Sequence, residues 1–162
     1  MGILRYFIRT SNSCLSNFMI YLGADHRGYQ LKERVKNFLN EIGLEYQDLG
    51  NYKYEENDDY ADFGRLVAQK VSENPDKDKG ILICGSGVGM DISANRFKCV
   101  RSVLASSSEL AVSSRKDDDT NVLSLGSNFV GEKRAEEIIK AWLETEFTGE
   151  EKRIRRLRKI DI

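Results

Sequence analysis

The chain has 162 residues, of which 40% are hydrophobic and 31% charged, and a net charge of −1. That length and balance suit one globular domain with a sizeable core. The near-neutral charge gives no electrostatic case for nucleic acid or an anionic membrane as partner, and no apolar run approaches the ~20 residues of a membrane span.

Residues 1–18 stand apart: they carry Arg5, Arg9 and several serines but no acid. Two readings stay open, a weakly targeting-like segment and a mis-called start ahead of Met19. The domain proper is expected over residues 19–162. Cys14, Cys84 and Cys99 form no CxxC pair and are odd in number, which points to reduced thiols and a cytoplasmic setting. His26 is the only histidine, so a structural zinc site, or a mechanism needing two histidines from one chain, is not expected.

"MIYLGA" (19–24) reads as an apolar strand. A helix follows over 28–43, with Leu31, Val35, Phe38, Leu39 and Ile42 on one face and Gly43 as its stop. A short strand is expected over 45–50, then a polar loop. A second helix, 60–72, places Phe63, Leu66, Val67 and Val71 at helical spacing. "GILIC" (80–84) has the β-branched and aliphatic content of a strand buried on both faces. Further elements are a helix over 89–96, a strand over 100–105, a helix over 107–116, a strand over 121–126 and a long helix over 131–146. That last helix should bury Ala135, Ile138, Ile139, Trp142 and Leu143. The basic tail, 150–162, carries an apolar stripe of Ile154, Leu157 and Ile160.

Strand and helix alternate throughout, which predicts a five-stranded parallel sheet covered by helices through right-handed crossovers. Ligands in such sheets bind at the C-terminal ends of the strands. The residues to watch are therefore Asp25, His26 and Arg27, then Cys84 to Gly89, then Ser106 onward.

"ICGSGVG" sets a thiol at a strand end, followed by alternate glycines and a helix. The glycines let a ligand approach backbone N–H groups, which favour an anion or a developing oxyanion. The motif lacks the GK[ST] of a phosphate-binding P-loop, the G-x-G-x-x-G of a dinucleotide fold and the G-x-S-x-G of a serine hydrolase. Cys84 beside a helix N-terminus is expected to have thiolate character, usable as base or nucleophile; a buried, inert cysteine in a tight strand–helix turn is the structural alternative. Cys99, at a strand start, is read as packing there. "GADHRG" gathers a carboxylate, the sole imidazole and a guanidinium after the first strand, with Arg27 also readable as a surface cation.

"SRKDDDTN" (114–121) holds three successive carboxylates between an expected helix and an expected strand, a placement read as beside the crevice. Acids at a helix C-terminus are electrostatically disfavoured. Successive residues do not converge on one cation without EF-hand-like spacing, which is absent, so no metal is expected.

Taken together, "GADHRGYQLK" (23–32), "DYADFG" (59–64), "GILICGSGVGMDISANR" (80–96), "VRSVLA" (100–105), "DTNVLSLGS" (119–127) and "AWLETEF" (141–147) resemble the ribose-5-phosphate isomerase B / galactose-6-phosphate isomerase family over essentially all of 19–162. The resemblance implies a Rossmann-like three-layer α/β/α fold whose C-terminal helix packs on a partner subunit. It also implies a homodimer or dimer of dimers with active sites built from both subunits, and no cofactor or metal. The activity implied is metal-independent aldose–ketose isomerisation of a sugar phosphate through an enediol, with a place in pentose phosphate metabolism. By position, Cys84 matches the family's base and Ser86 its assisting hydroxyl. The amides of Gly85, Ser86, Gly87, Val88 and Gly89 match the enediolate cradle. Asp25 and His26 match the pair that contacts sugar hydroxyls and phosphate, and Tyr60 an aromatic lining the site.

Departures from the family pattern fall at two places. Most members have His-Asn two residues after the arginine matching Arg115, and that histidine is associated with opening the furanose ring; here the positions are Asp117 and Asp118. An ordinary aspartate supplies a base and no acid. At the phosphate end, an arginine is replaced by Asn128, and the tail reads "GEEKRIRR", with Lys152 and Arg156 the best matches to two phosphate-binding cations and Arg153 and Arg155 close competitors. The alternative for the tail is a solvated amphipathic helix. Three functions follow: isomerase of ribose 5-phosphate, isomerase of a tetrose or hexose phosphate, and a non-catalytic sugar-phosphate-binding dimer.

Overall fold

The computed structural model describes residues 18–161. The 1–17 part of the proposed extension, with Cys14, lies outside them. Eleven elements follow in order: β1 (Ile20–Ala24), α1 (Tyr29–Glu41), β2 (Tyr46–Asp48), α2 (Tyr60–Glu73), β3 (Lys79–Cys84), α3 (Val88–Ala94), β4 (Ser102–Leu104), α4 (Ser108–Asp118), β5 (Val122–Gly126), α5 (Glu132–Glu144) and α6 (Glu151–Ile160). The five strands form one sheet in the order β2-β1-β3-β5-β4, every neighbouring pair parallel.

Alternating strand residues feed two separate cores. Ile20, Leu22, Ala24, Ile81, Ile83, Leu123 and Leu125 meet α1, α4 and α5 on one face. Leu82, Cys84 and Val122 meet α2 and α3 on the other. This is the three-layer arrangement that the alternation of elements predicts. Each fully buried aliphatic side chain here contributes roughly 1.5–3 kcal/mol by leaving water. Trp142, also fully buried, donates its indole N–H to Thr120 Oγ1 at 2.9 Å, so its polar edge is satisfied.

The helix faces depart from the periodicity at particular positions. Ile42 and Leu66 are exposed at 43% and 47%, while Lys32 is fully buried in α1. Lys32 tolerates burial because its ammonium donates to Asp48 Oδ1 and to the Asn51 carbonyl, each at 2.6 Å. The edge strands β2 and β4 are shorter than the strands expected over 45–50 and 100–105. α4 extends to Asp118, two residues beyond the expected stop at 116. α6 lies against α4 of its own chain, with Leu157 buried and Ile160 56% exposed. Among the described residues no helix is long and apolar enough to cross a membrane.

The chain leaves β1 toward β2 on one side and reaches β3 on the other. The strand order therefore reverses between β1 and β3, and a crevice opens beyond their C-terminal ends. Asp25 follows β1, and Cys84 closes β3.

Candidate active site

A cavity of about 960 Å³ occupies that crevice, lined by Asp25, His26, Arg27, Gln30, Tyr54, Glu56, Asn57, Tyr60, Cys84, Gly85, Ser86 and Asn128. Its size suits a small, polar molecule. Six residues expected at the site from the sequence, Asp25, His26, Tyr60, Cys84, Gly85 and Ser86, meet here although they come from three separate stretches of the chain.

After β1 the backbone turns tightly. Asp25 Oδ1 accepts the Gly28 amide at 2.9 Å, and Asp25's carbonyl accepts it too at 3.1 Å, which starts α1. Asp25 is 4% exposed, and burial pushes its carboxyl above the usual range, against the hydrogen bond from Gly28. His26 is held by Asp58: its backbone N–H and its Nδ1 both reach Asp58 Oδ1, at 3.1 and 2.6 Å. Asp58 Oδ2 accepts Asn51 Nδ2 at 2.6 Å. Burial acts to raise the Asp58 carboxyl, but the hydrogen bonds from His26 and Asn51 outweigh it and hold the group below its ordinary value. Asp25, His26 and Asp58 each bring a ligand-type atom within 4.8 Å of the others, yet the 2.6 Å His26–Asp58 contact is a direct hydrogen bond.

At the end of β3, Cys84 is 4% exposed and its Sγ accepts the Gly87 amide at 3.1 Å. Gly87 caps α3 with φ +79°, and a Cβ there would lie 2.9 Å from the Leu125 carbonyl carbon and 3.0 Å from the Gly126 nitrogen, both backbone, so only glycine fits this turn. Ser86 is exposed, and its Oγ accepts the Val88 amide at 3.3 Å. Tyr60 opens α2 and lies against Gly89, where a Cβ would fall 2.4 Å from the ring. The thiol, a hydroxyl, a buried carboxyl and an anchored imidazole thus share one cavity. That set can move a proton at a carbon flanked by oxygens and hold an anionic substituent.

Asp117, Asp118, Lys152 and Arg156 are elsewhere. α4 starts beyond the C-terminal edge of the sheet and runs back, so its last turn lies at the N-terminal edge, where the chain enters β5. The expectation that 114–121 adjoins the crevice is corrected by this antiparallel course: within one chain the acidic run is at the opposite end of the sheet. Two of its three carboxylates are met by arginines, and Asp118 is exposed. Asp117 pairs with Arg153 at 2.7 Å, and Asp119 with Arg115 at 2.7 Å and Arg101 at 3.1 Å. Lys152 pairs with Glu150 at 2.8 Å, and Arg156 is exposed on α6.

The sequence reading missed Asp58 and Asn51 behind His26, and Tyr54 on the cavity wall; Asn128, read from the sequence as standing where the family has a phosphate-end arginine, does line the cavity. Asn57 and Asp58 stand in a polar loop with no periodicity. The one available signal was their place just before the helix that starts at Tyr60.

The family model described as Ribose/Galactose Isomerase matches residues 20–160. Ribose-5-phosphate isomerase B of Escherichia coli is 42% identical over 130 residues, covering 80% of this chain and 86% of that protein. A crystal structure of ribose-5-phosphate isomerase B from Mycoplasma genitalium with bound ribulose 5-phosphate superposes with a TM-score of 0.86 at 41% identity, over 89% of this chain and 94% of that one. D-erythrulose-4-phosphate isomerase of Pectobacterium atrosepticum is 34% identical over 130 residues, 80% of this chain and 85% of the relative.

Proposed function

Since the chain belongs to the ribose/galactose isomerase family, we propose that it interconverts ribose 5-phosphate and ribulose 5-phosphate through an enediolate. The observation that carries this is the Cys84 thiol on the cavity wall, with the Gly87 amide on its sulfur and Ser86 beside it. In the open-chain aldose the sulfur takes the proton from C2 as the C1 carbonyl gains charge, then returns it to C1. The Ser86 hydroxyl serves the neighbouring oxygens as hydrogen moves from O2 to O1. With the Gly87 amide on the Cys84 sulfur and the Val88 amide on Ser86 Oγ, the amides of Gly85, Ser86 and Gly89 stabilise the enediolate, whose charge develops only along the reaction path. Asp25 and Tyr60 hold sugar hydroxyls, and His26 takes the phosphate.

The family's two-subunit site gives Asp117, Asp118, Lys152 and Arg156 a part in this reading. They would reach the cavity of a partner subunit in a homodimer or dimer of dimers, with α6 packing on that partner. The apolar residues Val88 and Ile92, 46% and 53% exposed on α3, support an association through this side of the molecule. The setting proposed is cytoplasmic, as the lone cysteines suggest.

The test is direct. Purified protein incubated with either pentose phosphate should interconvert them, and a Cys84→Ala variant should not. Absence of turnover above that variant would end the pentose-phosphate reading and leave an isomerase of another sugar phosphate or a non-catalytic sugar-phosphate-binding protein.

A second reading changes the substrate. Asp117 is engaged by Arg153 within its own chain, which leaves the ring-opening role unfilled. A tetrose phosphate forms no ordinary furanose and needs no such group. The relative from Pectobacterium atrosepticum, D-erythrulose-4-phosphate isomerase, is named for a substrate of this class. A panel of tetrose, pentose and hexose phosphates decides it, and a clear pentose preference rejects the shift.

A further inference from the structure

The imidazole in the cavity is anchored more tightly than its neighbours. His26 makes two hydrogen bonds to one oxygen of Asp58, at 3.1 Å from its amide and 2.6 Å from Nδ1. The other Asp58 oxygen is taken by Asn51 Nδ2 at 2.6 Å. Asn51 is itself fixed: its amide donates to the Ala24 carbonyl at 2.8 Å, its carbonyl accepts the buried Lys32 ammonium at 2.6 Å, and its Oδ1 accepts the Lys53 amide at 3.1 Å. An array running from α1 through the β2–α2 loop thus ends on a single ring nitrogen.

An ionised carboxylate only accepts, so a neutral His26 must carry its proton on Nδ1. Nε2 is then the ring nitrogen left for the cavity. We propose that Asp58, braced by Asn51, is a positioning residue that fixes this tautomer and holds His26 so that Nε2 captures the substrate's phosphate as an imidazolium. The proposal rests on the sugar-phosphate reading above and adds to it the residue that orients the phosphate contact.

A bare Nε2 lone pair repels a phosphate oxygen, whereas a protonated Nε2 donates to it. Binding therefore draws a proton onto Nε2, and the imidazolium sits between Asp58 and the phosphate. Other charged or titratable groups around the ring are Asp25 and Arg27 from the β1–α1 turn, Tyr54 and Glu56 from the β2–α2 loop, Tyr60 from α2 and Cys84 from β3. The Tyr54 ring lies edge-on to the imidazole, 6.1 Å between centroids.

Because the chain has one histidine, long-range ¹H–¹⁵N NMR of the full-length protein reads this ring alone. At pH 8 the free protein is expected to show Nδ1–H with Nε2 bare, and saturation with ribulose 5-phosphate should protonate both nitrogens. Asp58→Asn should turn the neutral ring to Nε2–H, abolish the proton uptake and raise KM about tenfold, the loss expected for one charge-assisted hydrogen bond, with kcat little changed. Asp58→Glu should recover part of that loss. A wild-type ring in the Nε2–H form, no proton uptake on ligand saturation, or a KM unmoved in Asp58→Asn would overturn the proposal. So would a fall in kcat at constant KM, which would place His26 at the reacting carbons. If wild-type protein binds the ketose phosphate but does not isomerise it, the isomerase reading fails, while the NMR titration still decides the role of Asp58.

Discussion

Arg153 Nη2 lies 2.7 Å from Asp117 Oδ1, joining the last turn of α4 to the C-terminal helix of the same chain. With Asp119 bound by Arg101 and Arg115, this pair explains how a run of acids closes a helix at its negative end. Three guanidiniums compensate two of the three carboxylates and the dipole together.

Asp117 with its carboxylate on a guanidinium is placed to anchor α6. Asp117→Asn should therefore leave the shape of the pH–rate profile intact. The pair is partly exposed, 32% and 21% at the two side chains, so its loss should cost about 1 kcal/mol or less. Thermal melts and a pH–rate series measure both. Disappearance of one limb of the profile would instead give Asp117 a proton to transfer.

Gly28→Ala should be severe. A Cβ at position 28 would stand 2.1 Å from the Ile83 carbonyl oxygen and 2.5 Å from its carbon. Both belong to backbone in the central strand and cannot rotate away. Relief requires prising the β1–α1 turn off β3, which moves Asp25 and His26 away from Cys84. A loss of roughly 2–4 kcal/mol, as for other strong steric conflicts, together with a raised KM, is expected from denaturant titration and kinetics. A variant with wild-type stability would show that the turn does not pack this closely.

Lys79 gives a pH dependence of stability. Burial pushes its ammonium down from 10.5 to about 8, and Arg115 and Arg101 add repulsion that Asp119 and Asp78 only partly offset. Between about 8 and 10.5 the unfolded chain holds a proton that the folded chain has released, so stability rises with pH across that window. Lys79→Met should be more stable than wild type at pH 7, with a melting temperature higher by roughly 2–4 °C per kcal/mol gained. The margin should shrink as pH climbs through the same window. A constant margin, or a less stable variant, would remove Lys79 from this role.

What the sequence could disclose follows from the range of the interactions. Strand and helix order are local, set by runs such as "GILIC" and by apolar spacing, and the alternation alone predicts the layered parallel sheet. The thiol and imidazole at the cavity follow from their places just after strands. Asp58 did not announce itself, because its meaning lies in a contact with His26 that is 32 residues away in the chain. Lys32 sits on the core side of α1 although it is charged, and only Asp48 and the Asn51 carbonyl, brought by tertiary packing, make that burial tolerable. The acidic run looked like an interruption of α4 because its compensating Arg101 and Arg153 come from β4's approach and from α6.

The most direct test of the account is proton transfer at carbon by Cys84. In deuterated water, wild-type protein should interconvert ribose 5-phosphate and ribulose 5-phosphate and place solvent deuterium on the carbon that receives the proton. Cys84→Ala, folded and still binding the sugar phosphate, should lose about 10²–10⁴-fold in kcat, the range for removing a general base, with label incorporation falling in step. A Cys84→Ala variant that turns over and exchanges within a few-fold of wild type would contradict the assignment of the thiol as the base.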